Sequence, residues 1–217
     1  MDAAAELIRN EPFRSISIRK IADSAGFHNS TIYSYFQDAD WLLALSSVRY
    51  LQPYSDDLMK ISRQELTPIG HFYAVWNCFC AHSFANPSLF YNFFFGKYRE
   101  HLTDLLDEYY VLFPDARNEH SPLISDMFHG NTMRDRCLSL LKPLCGDPWT
   151  RVSEDNINDV NFIIVSTLEE FLSDLVRERD SLPGEQAAER SASGPEAEEA
   201  DPFVKKYVSI LHFIIDR

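Results

Sequence analysis

Apolar positions in this chain recur every three or four residues, the period of a helix with one buried side. Ala4, Leu7 and Ile8 open the pattern, and Ile18, Ile21, Ala22 and Ala25 repeat it. Ile32 and Phe36 lie four apart, and Trp41, Leu42, Leu45 and Val48 carry it on. Four short helices are thus predicted in the first fifty residues. No alternating β-branched run lies between hairpin turns, so no strand is predicted. Thr67-Pro68, Asn86-Pro87, Ser121-Pro122 and Asp201-Pro202 each set a capping side chain before a proline. Proline suits the first helical position because the amide it lacks would have no partner there. Each pair is read as a helix start.

Residues 154–180 predict a helix of roughly 40 Å at the usual rise, capped by Ser153, with Glu154 and Asp155 at its positive end. Ile157, Val160, Ile164, Leu168, Phe171 and Leu175 form one apolar strip, and Ile163, Val165, Leu172 and Val176 a second. Residues 203–216 repeat the theme with Val204, Tyr207, Val208, Leu211, Ile214 and Ile215. Two such helices per chain can build a four-helix bundle between two copies; in the alternative they complete a monomer core. Residues 181–201 hold six acids against Arg190 and nothing apolar larger than alanine or proline after Leu182. That composition cannot offset its own ordering entropy, and a flexible acidic loop is expected.

The first quarter has its own chemistry. Ser17 can cap the second helix, and Gly26 supplies the left-handed residue that ends it. A turn through Phe27 and His28 leads into Asn29-Ser30-Thr31-Ile32-Tyr33-Ser34-Tyr35-Phe36. With Ile32 and Phe36 facing inward, the outer face is polar. A helix, a glycine turn and a second helix with a polar face form the helix-turn-helix plan, in which the second helix enters the major groove. Asn29 suits an adenine edge, and Thr31 and Ser34 suit phosphate or base. Tyr33 is placed near bases and Tyr35 near phosphate; the alternative packs either ring on the first helix. Ser17, Arg19, His28 and Ser30 complete the predicted DNA-binding set.

The run from Ser17 to Phe36 resembles the DNA-binding signature of the TetR family of repressors, with Ile21-Ala22, Ala25-Gly26 and Tyr33-x-Tyr35-Phe36 in register. Residues 2–8 resemble that family's first helix, and Trp41-Leu42-Leu43 the start of its fourth. The resemblance implies an all-α homodimer whose N-terminal domain binds a palindromic operator. Its C-terminal domain would bind a small molecule that releases the DNA. It also implies that the last two long helices dimerise, through Ile157, Val160, Ile164, Leu168, Phe171, Leu175, Tyr207, Leu211 and Ile214. The chain departs from the family pattern where a phosphate-reaching lysine is usual: Ala39 stands there between Asp38 and Asp40. Glu11-Pro12 replaces a common glycine, and no basic arm precedes Asp2.

Charge agrees with a chain that meets nucleic acid at one end. The net charge is −13, which argues against a general polyanion binder. Residues 1–51 carry only −1 of it and residues 52–217 carry −12. Aromatics concentrate in residues 72–98, 11 in 27 positions against 13% for the whole chain. An apolar effector pocket is expected within residues 68–146, with Trp76, Phe79, Tyr91, Phe94 and Tyr98 as candidate lining. Cys78, Cys80 and His82 are spaced by two, so on a helix Cys80 points away from the other pair and the three cannot converge on one ion. His71 lies seven residues before Cys78, while Cys137 and Cys145 are distant. No metal and no cofactor is therefore expected. Neither a nucleophile-elbow motif, nor a phosphate-cradling glycine loop, nor His-Glu-x-x-His is present, and no enzyme is expected. No apolar run approaches a membrane span and no basic-then-apolar leader opens the chain, so a cytoplasmic protein with reduced thiols is expected. The reading is a DNA-binding domain over residues 1–47 and a helical effector-binding and dimerisation domain over 48–217. Its competitor is a dimeric helical interaction protein of the same fold without specific DNA binding.

Overall fold

The computed structural model describes residues 1–11, 15–116, 122–180 and 202–217. Those residues form twelve α-helices joined by turns and short 3₁₀ segments, and no strand longer than an isolated bridge between Thr150 and Asp216. The all-α expectation holds. The predicted acidic loop, 181–201, lies outside the described residues, as do the caps Ser121 and Asp201.

The N-terminal bundle comprises α1 (Asp2–Asn10), α2 (Ile18–Ala25), α3 (Asn29–Tyr33) and α4 (Ala39–Val48). Its core is the predicted one: Ala4, Ile8, Ile18, Ile21, Ala22 and Ile32 are buried. After α4 a 3₁₀ turn, Arg49–Leu51, runs directly into α5 (Gln52–Ser62). Every residue from Leu42 to Val48 is buried, because α4 packs on α1 on one side and on α7 (Pro87–Phe95) and α8 (Leu102–Leu112) on the other. One continuous apolar core therefore joins the bundle to the rest of the chain.

Helix α6 (Pro68–Ala85) runs through the centre of that larger part. Thr67 caps it through Gly70 N, 3.2 Å from the hydroxyl, and Pro68 takes the first position as predicted. Trp76, Phe72, Phe79 and Phe90 are fully buried and meet edge to face or tilted, the arrangement their quadrupoles favour. Around α6 lie α9 (Pro122–Phe128), α10 (Met133–Leu141), α11 (Ile157–Asp180) and α12 (Pro202–Ile215). Tyr207 of α12 donates to the Ile164 carbonyl of α11 at 2.8 Å, and Arg151 N donates to the Ile215 carbonyl at 2.7 Å. These bonds fix the C-terminal helix against the turn before α11.

Local chemistry changed several expected boundaries. Helix α11 begins at Ile157 rather than at residue 154. Asn156 folds the preceding turn by accepting from Ser153 N at 2.8 Å and donating to the Arg151 carbonyl at 2.8 Å, so Glu154 and Asp155 precede the helix. Helix α7 starts at Pro87 as predicted, but Asn86 does not cap it: its amide donates back to the His82 carbonyl of α6. Regular α3 stops at Tyr33, although Tyr35 N and Phe36 N both reach the Ile32 carbonyl at 3.0 Å and keep the last turn wound.

The strip chosen for dimerisation mostly faces inward. Ile157, Val160, Ile164, Leu168, Tyr207 and Leu211 are buried within their own chain, and Phe171, Leu175 and Ile214 are half-buried. The reason is the packing of α11 on α7 and α10, which consumes that side of the helix. The large apolar residues left exposed on the two helices are Phe162 and Ile163 of α11 and Phe203 and Phe213 of α12.

Candidate nucleic-acid interface

The interface is built from two helices and the turn between them. Ser17, in extended conformation, caps α2 by accepting from Lys20 N at 3.3 Å. At the other end Gly26 adopts φ 71° and ψ 27°, a left-handed geometry costly for any residue with a Cβ. Gly26 N donates to the Asp23 carbonyl and Phe27 N to the Ala22 carbonyl, completing a Schellman motif. The chain then turns through His28, whose carbonyl accepts from Thr31 N at 3.0 Å, and starts α3.

Ile32 anchors α3 in the core, and Phe36 is half-buried beside it. The outer side is free. Asn29, Ser30, Tyr33, Ser34 and Tyr35 are exposed, as are Ser17, Arg19 and His28, while Thr31 is half-buried. Tyr33 is 58% and Tyr35 77% exposed, so neither ring packs on α1. Ser34 uses its hydroxyl proton on the Ser30 carbonyl at 3.0 Å and offers its oxygen as an acceptor. Phe27, 61% exposed at the start of α3, belongs to the same surface. Sequence reasoning treated it as turn; its place in the turn that points α3 outward was the available signal.

Among the described residues, the cations of α2 each lie beside an acid. Arg19 lies 3.9 Å from Asp23, and Lys20 lies 2.5 Å from Glu11. At the start of α4, Asp38 caps the helix by accepting from Trp41 N at 2.8 Å. Its other oxygen accepts from Lys97 at 2.5 Å and from the Tyr98 hydroxyl at 2.6 Å. Burial would raise the Asp38 carboxyl, but bonds from Lys97, Tyr98 and Trp41 N outweigh it and hold the group below its ordinary value. Lys97 also lies 3.5 Å from Asp40. A lysine distant in sequence thus stands beside the acids that flank Ala39. Trp41 continues the joint by donating from its ring N–H to Glu108 at 3.0 Å and meeting Tyr98 edge to face at 4.9 Å.

Behind this surface, the aromatic stretch divides. Trp76, Phe79 and Phe94 line one internal cavity with Tyr54, Met133 and Arg136. A second cavity shares Tyr54, Phe94 and Arg136 as wall. Each has room for about one water molecule. Tyr91 instead packs on Phe95, and Tyr98 serves the Asp38 joint, and neither lines these two cavities. Arg136 is buried and donates to the Gly130 carbonyl at 2.9 Å and the Phe128 carbonyl at 3.4 Å. Burial brings its guanidinium down to about 10, still charged at neutral pH.

All four cysteines are free thiols. Cys78 and His82 share a face of α6, as their spacing requires, and Asp57 of α5 joins them. That residue escaped sequence reasoning because it lies on another helix, 21 positions before Cys78. Burial and then the charge of Asp57 push the Cys78 thiol up to about 12, so it is no nucleophile at neutral pH.

Among the described residues, no helix is long and apolar enough to cross a membrane. Residues 1–44 match the family model described as bacterial regulatory proteins, tetR family. No curated protein and no solved structure matches the chain. The match ends within α4, so it covers the helices that build the exposed reading face and little else. The N-terminal helix-turn-helix, residues 1–44, thus has the form of the tetR family's DNA-binding region.

Proposed function

We propose that the protein is a cytoplasmic repressor that binds a palindromic operator as a homodimer and leaves it when a small apolar or aromatic effector binds. The observation that carries this reading is the outer side of α3. Asn29, Ser30, Tyr33, Ser34 and Tyr35 stand exposed on a rigid two-helix unit, with base-edge and phosphate chemistry and no packing role. Residues 1–47 are assigned to DNA and residues 48–217 to dimerisation and effector binding.

Palindromic recognition needs two reading heads about 34–36 Å apart. The exposed Phe162, Ile163 and Phe213 give the last two helices an apolar outer face suited to a second copy. The effector is assigned to the two cavities beside Arg136, one walled by Trp76, Phe79 and Phe94 and the other by Phe93, Phe94 and Tyr110. They are too small for a ligand as they stand, so binding must move side chains, and it works as a switch only if the effector favours one protomer arrangement.

The test is binding to duplexes drawn from upstream of the protein's own gene, across a salt series. One duplex bound at least about a thousandfold better than its scrambled form supports the reading. Equal binding of both overturns it in favour of the dimeric interaction protein. A thermal-shift screen of apolar and aromatic compounds tests the effector, and a screen with no stabilising compound removes that part.

A further inference from the structure

We propose that Asp57, Cys78 and His82 form a binding site for a divalent transition metal of the zinc class. The three side chains come from two helices. Cys78 and His82 stand four apart on α6, one turn above the other, and Asp57 reaches across from α5. One ligand atom from each lies within 4.8 Å of the other two. A tetrahedral zinc site, with bonds near 2.0–2.3 Å, holds its ligand atoms roughly 3–4 Å apart. The cluster therefore needs closing by about 1 Å, within reach of small side-chain rotations.

Donor chemistry narrows the ion. A thiolate, an imidazole and a carboxylate together suit zinc and its borderline neighbours rather than magnesium or calcium, which take oxygen. Three protein ligands leave one position for water or an exogenous ligand. A closed structural site would fill all four. The surroundings are already arranged. His82 Nε2 lies 2.9 Å from Asp57 Oδ2, and Tyr54 packs edge to face on the His82 ring at 5.8 Å, holding its orientation. Lys60 donates to Asp57 Oδ1 at 2.6 Å and leaves Oδ2 on the side of the histidine. On binding, the Cys78 thiol proton leaves to solvent, the Nε2 proton that His82 shares with Asp57 is given up as Nδ1 takes one from solvent, and the ion accepts the Nε2 lone pair, the thiolate and one oxygen of Asp57. A dication then meets one thiolate and one carboxylate, and their charges cancel.

The position gives the site a consequence, which rests on the regulator reading above. Helix α5 follows α4 through a single 3₁₀ turn, so an ion that ties α5 to α6 also fixes the helix leading to the DNA-binding domain. Metal occupancy is expected to change operator affinity.

The experiment uses the full chain, free of affinity tags, stripped of metal and kept reduced, titrated with Co²⁺. The expected result is one ion per chain, a thiolate-to-cobalt charge-transfer band in the near ultraviolet, and loss of the band on adding Zn²⁺. Cys78→Ser removes the band, Cys80→Ala keeps it, and Asp57→Asn or His82→Ala weakens Co²⁺ binding by at least about tenfold. Far-ultraviolet circular dichroism confirms that each variant stays helical. Absence of a thiolate band, or an unchanged band in Cys78→Ser, overturns the site. Operator affinity is then compared with and without Zn²⁺, with a change of at least about threefold expected in the native chain and none in Cys78→Ser. Equal affinities alongside an intact band overturn the regulatory consequence and leave the site. Failure to bind any duplex in either state overturns the regulator reading instead.

Discussion

Replacing Ala39 by lysine tests the electrostatics of the reading face. Ala39 opens α4 between Asp38 and Asp40, and Lys97 already lies 2.5 Å from one acid and 3.5 Å from the other. Taking Arg19 and Lys20 to exchange Asp23 and Glu11 for phosphates when DNA binds, a dimer neutralises about four phosphates, and log K falls with log salt at a slope of about −3.6. Raising salt from 50 to 200 mM should then cost roughly 150-fold in affinity. Ala39→Lys adds one contact per protomer and steepens the slope to about −5.4. At 0.1 M salt the two new contacts raise affinity by up to roughly 60-fold for any duplex, because phosphate contacts carry no sequence information. Asp38 and Asp40 compete for the new ammonium, so the measured gain should fall between about fivefold and that ceiling. Fluorescence anisotropy on operator and scrambled duplexes at four salt concentrations reads slope and affinity together. An unchanged slope, or a lower affinity on both duplexes, would refute the placement of the start of α4 beside a phosphate.

Other perturbations separate backbone, charge and packing. A Cβ added at Gly26 meets nothing within 4 Å, so Gly26→Ala should lose only the left-handed conformational preference, about 1–2 kcal/mol in urea denaturation; a much larger loss would mean a steric role. The Asp38 carboxyl is held below its ordinary value, so its stabilisation is complete above that value and disappears as pH falls through the depressed one. The stability gap between native chain and Asp38→Asn should be flat from pH 5 to 8 and close below about pH 4; a gap that widens in acid contradicts the Lys97 and Tyr98 contacts. Leu168 is wholly buried, so Leu168→Ala should cost about 2–5 kcal/mol in chemical denaturation. Ile163→Asp should leave that stability nearly intact and shift sedimentation toward monomer, and a dimer that survives it places the contact elsewhere.

The helix-turn-helix was legible because its determinants are local. The Ser17 cap, the left-handed Gly26 and the spacing of Ile18, Ile21 and Ala22 lie within ten residues, and each acts through the backbone beside it. Capping by Thr67 was legible for the same reason. Asn86 failed because the same amide can serve the helix it follows, and the His82 carbonyl was in reach. The inward face of α11 was undecided in the sequence because both strips are apolar; in the structure Val165 and Leu172 of the second strip are buried along with most of the first, and Ile163 is left exposed. Lys97 beside Asp38 and Asp57 beside His82 pair residues 59 and 25 positions apart, which no periodicity encodes.

These non-local pairs share a property that bears on mechanism. Lys97, Tyr98 and Glu108 hold the first turn of α4 from outside the N-terminal bundle, while Asp57 and His82 join α5 to α6. The polar ties thus flank Leu42 to Val48, which are buried throughout. A dry, close-packed middle resists bending, so a displacement at α5 moves α4 as a body rather than dissipating along it. Loosening either polar end should therefore alter DNA affinity without touching α3. Tyr98→Phe tests that at the DNA end: it deletes one hydrogen bond to Asp38, 60 residues away in sequence, and leaves every residue of the reading face in place. The expected outcome is a shifted operator affinity with unchanged sequence preference. A change in preference would instead mean that α3 is repositioned by the joint itself, and the rigid path would not be the route of coupling.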